Sequence, residues 1–346
     1  MIEFGSDFHY IQPAGSPDGK TIRDYYPTAN FYADGRQALI HLYKSQGWEC
    51  LWMPEYYCPD VIASLEAAGL VLRYYVDYPG CPEDRNNLPA LEKEGRFGVR
   101  DAVLLVNYFG TRSCRGGHKP GVAAIVEDHT HDLIGEWAVD SDADWCVASL
   151  RKTLPVPEGG VLWSPLGLPL PEPPAMSEEN EAVAGLRWDS MRLKARYLLG
   201  DICDKAEFRS GFINTESFFD IAPVCSLDRQ SQEYLASFDV KDWYRRKRVN
   251  WEILRDIEKE GVSVMRPESP ACNPFSLILL FDSSDERDRV RKALIDNNIY
   301  PTILWNIRPV DGESGVFSRK MLSIHCDGRY SPEDIIQMKS IIESVI

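Results

Sequence analysis

A run of five apolar residues, Ala102-Val103-Leu104-Leu105-Val106, constrains this chain more than any other stretch. It lacks polar alternation, so both of its faces must be covered, as in a strand inside a parallel sheet. Further strand-length runs are Leu51 to Pro54, Leu70 to Val76, Val122 to Glu127, Trp145 to Ala148 and Val161 to Trp163. Helical patterns lie between the earlier ones. From Phe31 to Gly47, Ala38, Leu39, Leu42 and Tyr43 recur at helical spacing, with Asp34 as a cap and Gly35 beside it. Pro59 opens a second helix to Ala68, which Gly69 stops. Leu88 and Leu91 mark one helical turn in the polar stretch 79–101, and a loop with Gly116-Gly117 precedes the next strand. Strands alternating with helices predict a doubly wound α/β fold with a mostly parallel sheet. In such sheets the chemistry lies beyond the carboxyl ends of the strands.

Past residue 165 the pattern changes. Five prolines fall within 165–174, and a long charged helical stretch covers 178–210. Residues 211–237, with Phe212, Phe218 and Phe219, read as irregular. Asp239 to Lys259 is helical, with Trp243, Trp251 and Leu254 on one side. Its basic run, Arg245-Arg246-Lys247-Arg248, is expected on a solvated face. The tail reads strand 275–281, helix 285–297, strands 299–305 and 321–325, and helix 332–345. This divides the 346 residues into a large domain, 1–240, with an irregular N-terminal arm, and a smaller α+β domain, 241–346.

Two short pieces carry candidate chemistry. The strand Val122 to Glu127 runs into Asp128, with His131 three residues on. Lys152 follows another strand end, flanked by Leu150 and Leu154 and hemmed in by Pro155 and Pro157, with Ser149 three residues before it. A carboxylate and a lysine at neighbouring strand ends suit a pyridoxal phosphate (PLP) site. The carboxylate keeps the pyridine nitrogen protonated, and the lysine amine condenses with the aldehyde. A free lysine has a pKa of about 10.4, so this one must be desolvated or set beside other cations. Arg151 is such a neighbour.

Four pieces in order resemble the DegT/DnrJ/StrS group of PLP-dependent sugar aminotransferases. They are Asp34-Gly35-Arg36-Gln37-Ala38-Leu39, Met53-Pro54-Glu55-Tyr56-Tyr57-Cys58-Pro59, Val126-Glu127-Asp128-His129-Thr130-His131, and Ser149-Leu150-Arg151-Lys152 with Glu158-Gly159-Gly160. The resemblance implies the three-layer α/β/α PLP-dependent transferase fold (type I). It also implies an aminotransferase moving an amino group between an amino acid and a small keto compound such as a nucleotide-linked keto sugar. Lys152 is then the catalytic residue. Gly35, Arg36 and Gln37 at a helix start, with Ser149, would hold the phosphate. Asp128 would partner the ring nitrogen, His131 would lie near the cofactor, and Asn107 would reach its phenolic oxygen. The family places an aromatic four residues after the proline, where this chain has Cys58, so Tyr57 is the stacking candidate, with Tyr56 behind it. The family's Asn-aromatic-Arg piece has no good counterpart; Phe212-Ile213-Asn214 is a poor one. Proteins of this fold usually share their sites between two subunits. The aromatics Phe4, Tyr10, Tyr25 and Tyr26 of the arm, with Phe212, Phe218 and Phe219, sit in irregular stretches that need a covering surface, so a homodimer is expected.

Composition removes other classes. A net charge of −15 argues against nucleic acid and against a basic membrane patch. No 18-residue apolar run and no secretory h-region are present, and nine scattered cysteines suit a reducing compartment, so the expectation is a cytoplasmic protein. His129 and His131 with Asp128 and Asp132 lack a further ligand cluster nearby, so no metal is expected. Two alternatives remain. One is a non-catalytic protein that keeps the fold. The other is a serine acyl hydrolase using Ser149 and Lys152, which requires Ser149 at a helix start.

Overall fold

The computed structural model describes residues 2–15, 17–113, 121–122, 124–307 and 312–346; the Gly116-Gly117 loop and the side chains of Phe219 and Ile221 lie outside this description. Its strands are β1 (Phe4–Gly5), β2 (Asn30–Tyr32), β3 (Cys50–Pro54), β4 (Leu72–Tyr75), β5 (Asp101–Val106), β6 (Ala124–Asp128), β7 (Trp145–Ser149), β8 (Gly160–Trp163), β9 (Val262–Val264), β10 (Leu277–Phe281), β11 (Ile299–Tyr300) and β12 (Met321–Ile324). Seven of them form one sheet in the order β2-β8-β7-β6-β5-β3-β4. The strands β4, β3, β5, β6 and β7 run parallel, whereas β8 is antiparallel to both β7 and β2.

The unbroken apolar runs follow from this architecture. Val103, Ile125, Cys146 and Ala148 enter the apolar core on one face of the sheet. Ala102, Leu104, Val126 and Val147 enter the core on the other. Successive residues of a strand point to opposite faces, so a strand covered on both sides must be apolar throughout. The parallel strands end together, which brings Pro54, Val106, Asp128 and Ser149 to one edge.

The C-terminal part adds an antiparallel sheet, β12-β10-β9, backed by helices Ser284–Asp296 and Pro332–Val345. Leu277, Leu279, Val290, Leu322, Ile335 and Met338 form its core. The first residues of the chain belong there too: β1 pairs with β11, Phe4 opposite Ile299. The strand expected at 299–305 is only two residues long. Beyond a bridge from Thr302 to Ser323, the segment turns toward the main sheet.

Other expectations needed correction. Phe31 belongs to β2, so the helix expected from it begins at Gly35, with the Asp34 carboxylate accepting the Gln37 N–H at 3.1 Å. The charged stretch 178–210 is broken by Gly200, at φ 96°, into Glu178–Leu199 and the start of Lys205–Glu216. The stretch read as irregular holds Phe218–Ile221 and Arg229–Leu235, the latter capped by Asp228. The basic run is not uniformly solvated. Arg245 and Arg246 pair with Asp242, but Lys247 is buried, its ammonium 4.7 Å from the Tyr244 ring centre. The arm's aromatics are covered largely by their own chain. Tyr26 stacks on Trp163 with ring centres 4.2 Å apart, Tyr10 lies against Trp188 and Tyr234, and Phe4 and Phe212 are buried. They therefore supply no argument for a second subunit. Among the described residues no helix is long and apolar enough to cross a membrane.

Candidate active site

The carboxyl edge of the sheet opens into a cavity of about 940 Å³, part of it continuous with solvent. Gly35, Arg36, Tyr57, Asp128, His131, Ser149 and Lys152 all line it. Gln37 and Asn107 are not among the lining residues. Gln37 is buried, and its side-chain oxygen accepts the Cys225 N–H at 3.1 Å. Asn107 is buried where β5 ends, and its side-chain oxygen has no hydrogen-bond partner.

Asp128 ends β6, and two donors fix its carboxylate. The Tyr57 hydroxyl donates to Oδ2 at 2.6 Å, and the Thr130 N–H donates to Oδ1 at 2.8 Å. The Thr130 hydroxyl in turn accepts the Ser149 N–H at 3.0 Å, tying β6 to the start of the lysine turn. Burial, then the Asp128 charge, pushes the Tyr57 phenol well above its ordinary pKa, so it remains a donor.

Lys152 lies in a short 3₁₀ turn directly after β7 and lines the cavity. The positive charge of Arg151, then loss of water around the amine, lowers its pKa to about 8. More of it is then the free amine at neutral pH than in an ordinary lysine. Arg151 is held by Glu216 at 2.7 Å, and Arg187 takes the other oxygen of the same carboxylate at 3.1 Å. His131 is neutral, its pKa lowered to about 3 by burial and by the charge of Lys152. Its Nδ1 accepts the Phe109 N–H at 3.2 Å, which leaves the proton on Nε2. Phe109 adopts a left-handed backbone, φ 54°, a conformation that bulky side chains seldom take.

The helix start and the lysine turn are packed tightly. A Cβ on Gly160 would lie 2.2 Å from the Asp34 carbonyl oxygen, and one on Gly35 would lie 3.1 Å from Ser149. Gly159 has φ 128° and donates its N–H to the Ala33 carbonyl at 2.7 Å. Only glycines allow this approach. It sets the helix amides of Gly35–Gln46 beside Ser149, an arrangement suited to an anion. Arg36, bonded to Asp220 at 2.6 Å and 3.3 Å from Asp34, adds positive charge.

The donor set fits PLP. It offers an amine with a lowered pKa, an oriented carboxylate with room for a further donor, and a helix N-terminus beside a hydroxyl. Ser149 ends a strand and precedes only a three-residue turn, which is not the helix start an S-x-x-K hydrolase needs. On the opposite face Glu127 Oε2, His129 and Cys146 place ligand atoms within 4.8 Å of one another. That oxygen already accepts His129 at 2.9 Å and Ser141 at 2.6 Å, so the group is a hydrogen-bonded network.

Sequence reasoning missed Thr130, Glu216, Phe275, Leu304 and Trp305, all lining the cavity. Thr130 lies between Asp128 and His131 in the β6 motif. The others carry no local signal, because they arrive from distant segments. Phe212, from the poor substitute for the missing family piece, lines an adjoining cavity that shares Lys152, Arg151 and Phe275 with this one.

No family model and no curated protein matches the chain. Solved structures do. PseC of Helicobacter pylori, an aminotransferase involved in the biosynthesis of pseudoaminic acid, superposes with a TM-score of 0.60 at 12% identity over 99% of each chain. DesI, solved in the presence of its TDP-sugar product, gives 0.60 at 15% identity over 96% of this chain and 85% of its own. The PLP form of Spr1654 from Streptococcus pneumoniae gives 0.58 at 12% identity over 94% and 90%. The α/β/α transferase fold expected from the sequence is the fold of this chain, shared with these three proteins along nearly its whole length.

Proposed function

We propose that the protein is a PLP-dependent aminotransferase that moves an amino group between an amino acid and a small keto compound. The observation that carries this reading is the meeting of Lys152 and Asp128 in one cavity, the amine's pKa lowered and the carboxylate fixed by Tyr57 and Thr130. The cofactor would supply an aldehyde and an electron-accepting ring. Lys152 Nζ binds it and, once released, carries a proton to and from the reacting carbon. Asp128 holds the ring nitrogen's proton. The amides of Gly35 and Arg36, with the Ser149 hydroxyl, hold the phosphate. His131 contributes a neutral ring with its proton on Nε2. Gln37 and Asn107 belong to the same group of cofactor residues; Gln37 would act by steadying the helix start from behind.

A nucleotide-linked keto sugar is the acceptor we favour, supported by the likeness to PseC and DesI. The same reading assigns a homodimer in the cytoplasm, with domains 1–240 and 241–346. The test is an absorbance scan of purified protein loaded with PLP, with amino acids added in turn. Loss of the visible band and growth of the pyridoxamine phosphate band with one of them supports transamination. A protein that binds PLP but converts with no amino acid favours the non-catalytic alternative.

A further inference from the structure

A flat cofactor ring between Asp128 and Lys152 needs an apolar surface on each face. Val106 and Val147 supply one wall of the cavity from the sheet. Cys58 is too small to supply the other. Tyr57 is committed through its hydroxyl to Asp128. Phe275 is buried, its ring between His131 at 4.8 Å and His325 at 6.0 Å. Trp305 differs from these. It is only half-buried, lines the cavity, and lies nearly parallel to His131 (28°, ring centres 5.7 Å) and 6.2 Å from Tyr57. Its backbone is held on both sides. The Ser318 hydroxyl donates to the Trp305 carbonyl, and the Tyr56 hydroxyl donates to the Leu304 carbonyl. The short β11 makes this possible, because the chain leaves the small sheet early and delivers Trp305 to the main one.

We infer that Trp305, brought from the C-terminal part of the chain, supplies the aromatic face that covers the cofactor ring, in place of the aromatic missing at position 58. This rests on the PLP reading above. Offset aromatic contacts of this kind contribute beyond the area they bury. Replacing the indole by an aliphatic side chain should therefore weaken binding about tenfold, and phenylalanine should recover most of it.

The test measures dissociation constants of wild type, Trp305→Leu and Trp305→Phe for PLP and for 4′-deoxypyridoxine 5′-phosphate. The second probe lacks the aldehyde and reports the non-covalent contacts without the bond to Lys152. Induced visible circular dichroism of bound PLP is recorded in parallel, and melting curves establish that each variant is folded. The expected result is about tenfold weaker binding of both probes and a reduced dichroic band in Trp305→Leu, with Trp305→Phe near wild type. Wild-type affinity for both probes in Trp305→Leu would overturn the assignment of Trp305 and leave the cofactor reading standing. Failure of the wild type to bind either probe would overturn the cofactor reading, and this inference with it.

Discussion

Glu127 and Asp128 are adjacent carboxylates on one strand, and they do different work. Their side chains leave β6 on opposite faces of the sheet. Glu127 is closed in by the His129 ring, the Ser141 hydroxyl and, at 2.8 Å, the Trp137 indole, all buried. It faces no cavity. Asp128 has two fixed donors and faces a cavity that also holds Lys152. A carboxylate whose acceptor sites are filled by its own chain is part of the fold. One left with a free direction toward a cavity can receive a ligand. Strand alternation decides which residue is which, so a shift of one position would exchange them.

The largest effect should come from Asp128→Asn. It leaves the packing intact but removes the charge under the ring nitrogen, so turnover should fall by at least about 10²-fold. Its stability loss in urea should stay on the order of 1–2 kcal/mol. Glu127→Gln should reverse this pattern. Mispairing a buried carboxylate site that accepts three hydrogen bonds should cost on the order of 3 kcal/mol, while the folded fraction should keep near-normal turnover. If both variants lose mainly stability, the division between the two faces is wrong.

The contrast can be sharpened with acid. His131, His9 and His325 have lowered pKa values, about 3, 4 and 4, with burial the main cause. Below pH 6.5 the unfolded chain takes up protons at these rings that the folded chain refuses, so stability falls as pH drops from about 6.5 toward 4. His131→Gln should flatten that slope, read from urea midpoints between pH 7 and pH 4.5. An unchanged slope would mean that His131 is protonated in the fold.

Much of this division could be read from the sequence. Position 128 closes an apolar strand, and Asp34 precedes a helical repeat, so local pattern sufficed for both. The order of Asp128 and Lys152 along the chain placed them at adjoining strand ends. The partners were not legible. Tyr57 reaches Asp128 across 71 positions, and Arg151 meets Glu216 across 65. No local periodicity encodes such pairs. Lys247 was misread for a related reason. A basic run looks solvated until the rings of Tyr244 and Phe275 close over one member of it. The N-terminal aromatics looked unpartnered because their partners, Trp163, Trp188 and Tyr234, lie far along the chain.

A smaller effect is expected beside the lysine. Arg151→Met removes the charge that most lowers the Lys152 pKa. The amine should then titrate closer to the ordinary value of about 10.4, followed as the pH dependence of acylation at Lys152. An unmoved profile would assign the lowering to loss of water alone.

The central claim is that Lys152 is the residue that binds the cofactor covalently. The direct measurement is borohydride trapping of PLP on the protein, followed by peptide mapping of the modified lysine by mass spectrometry. The account predicts one phosphopyridoxyl group per chain, on Lys152, and none in Lys152→Ala. Stoichiometric label on another lysine, or no trapped label on folded wild-type protein, would contradict it.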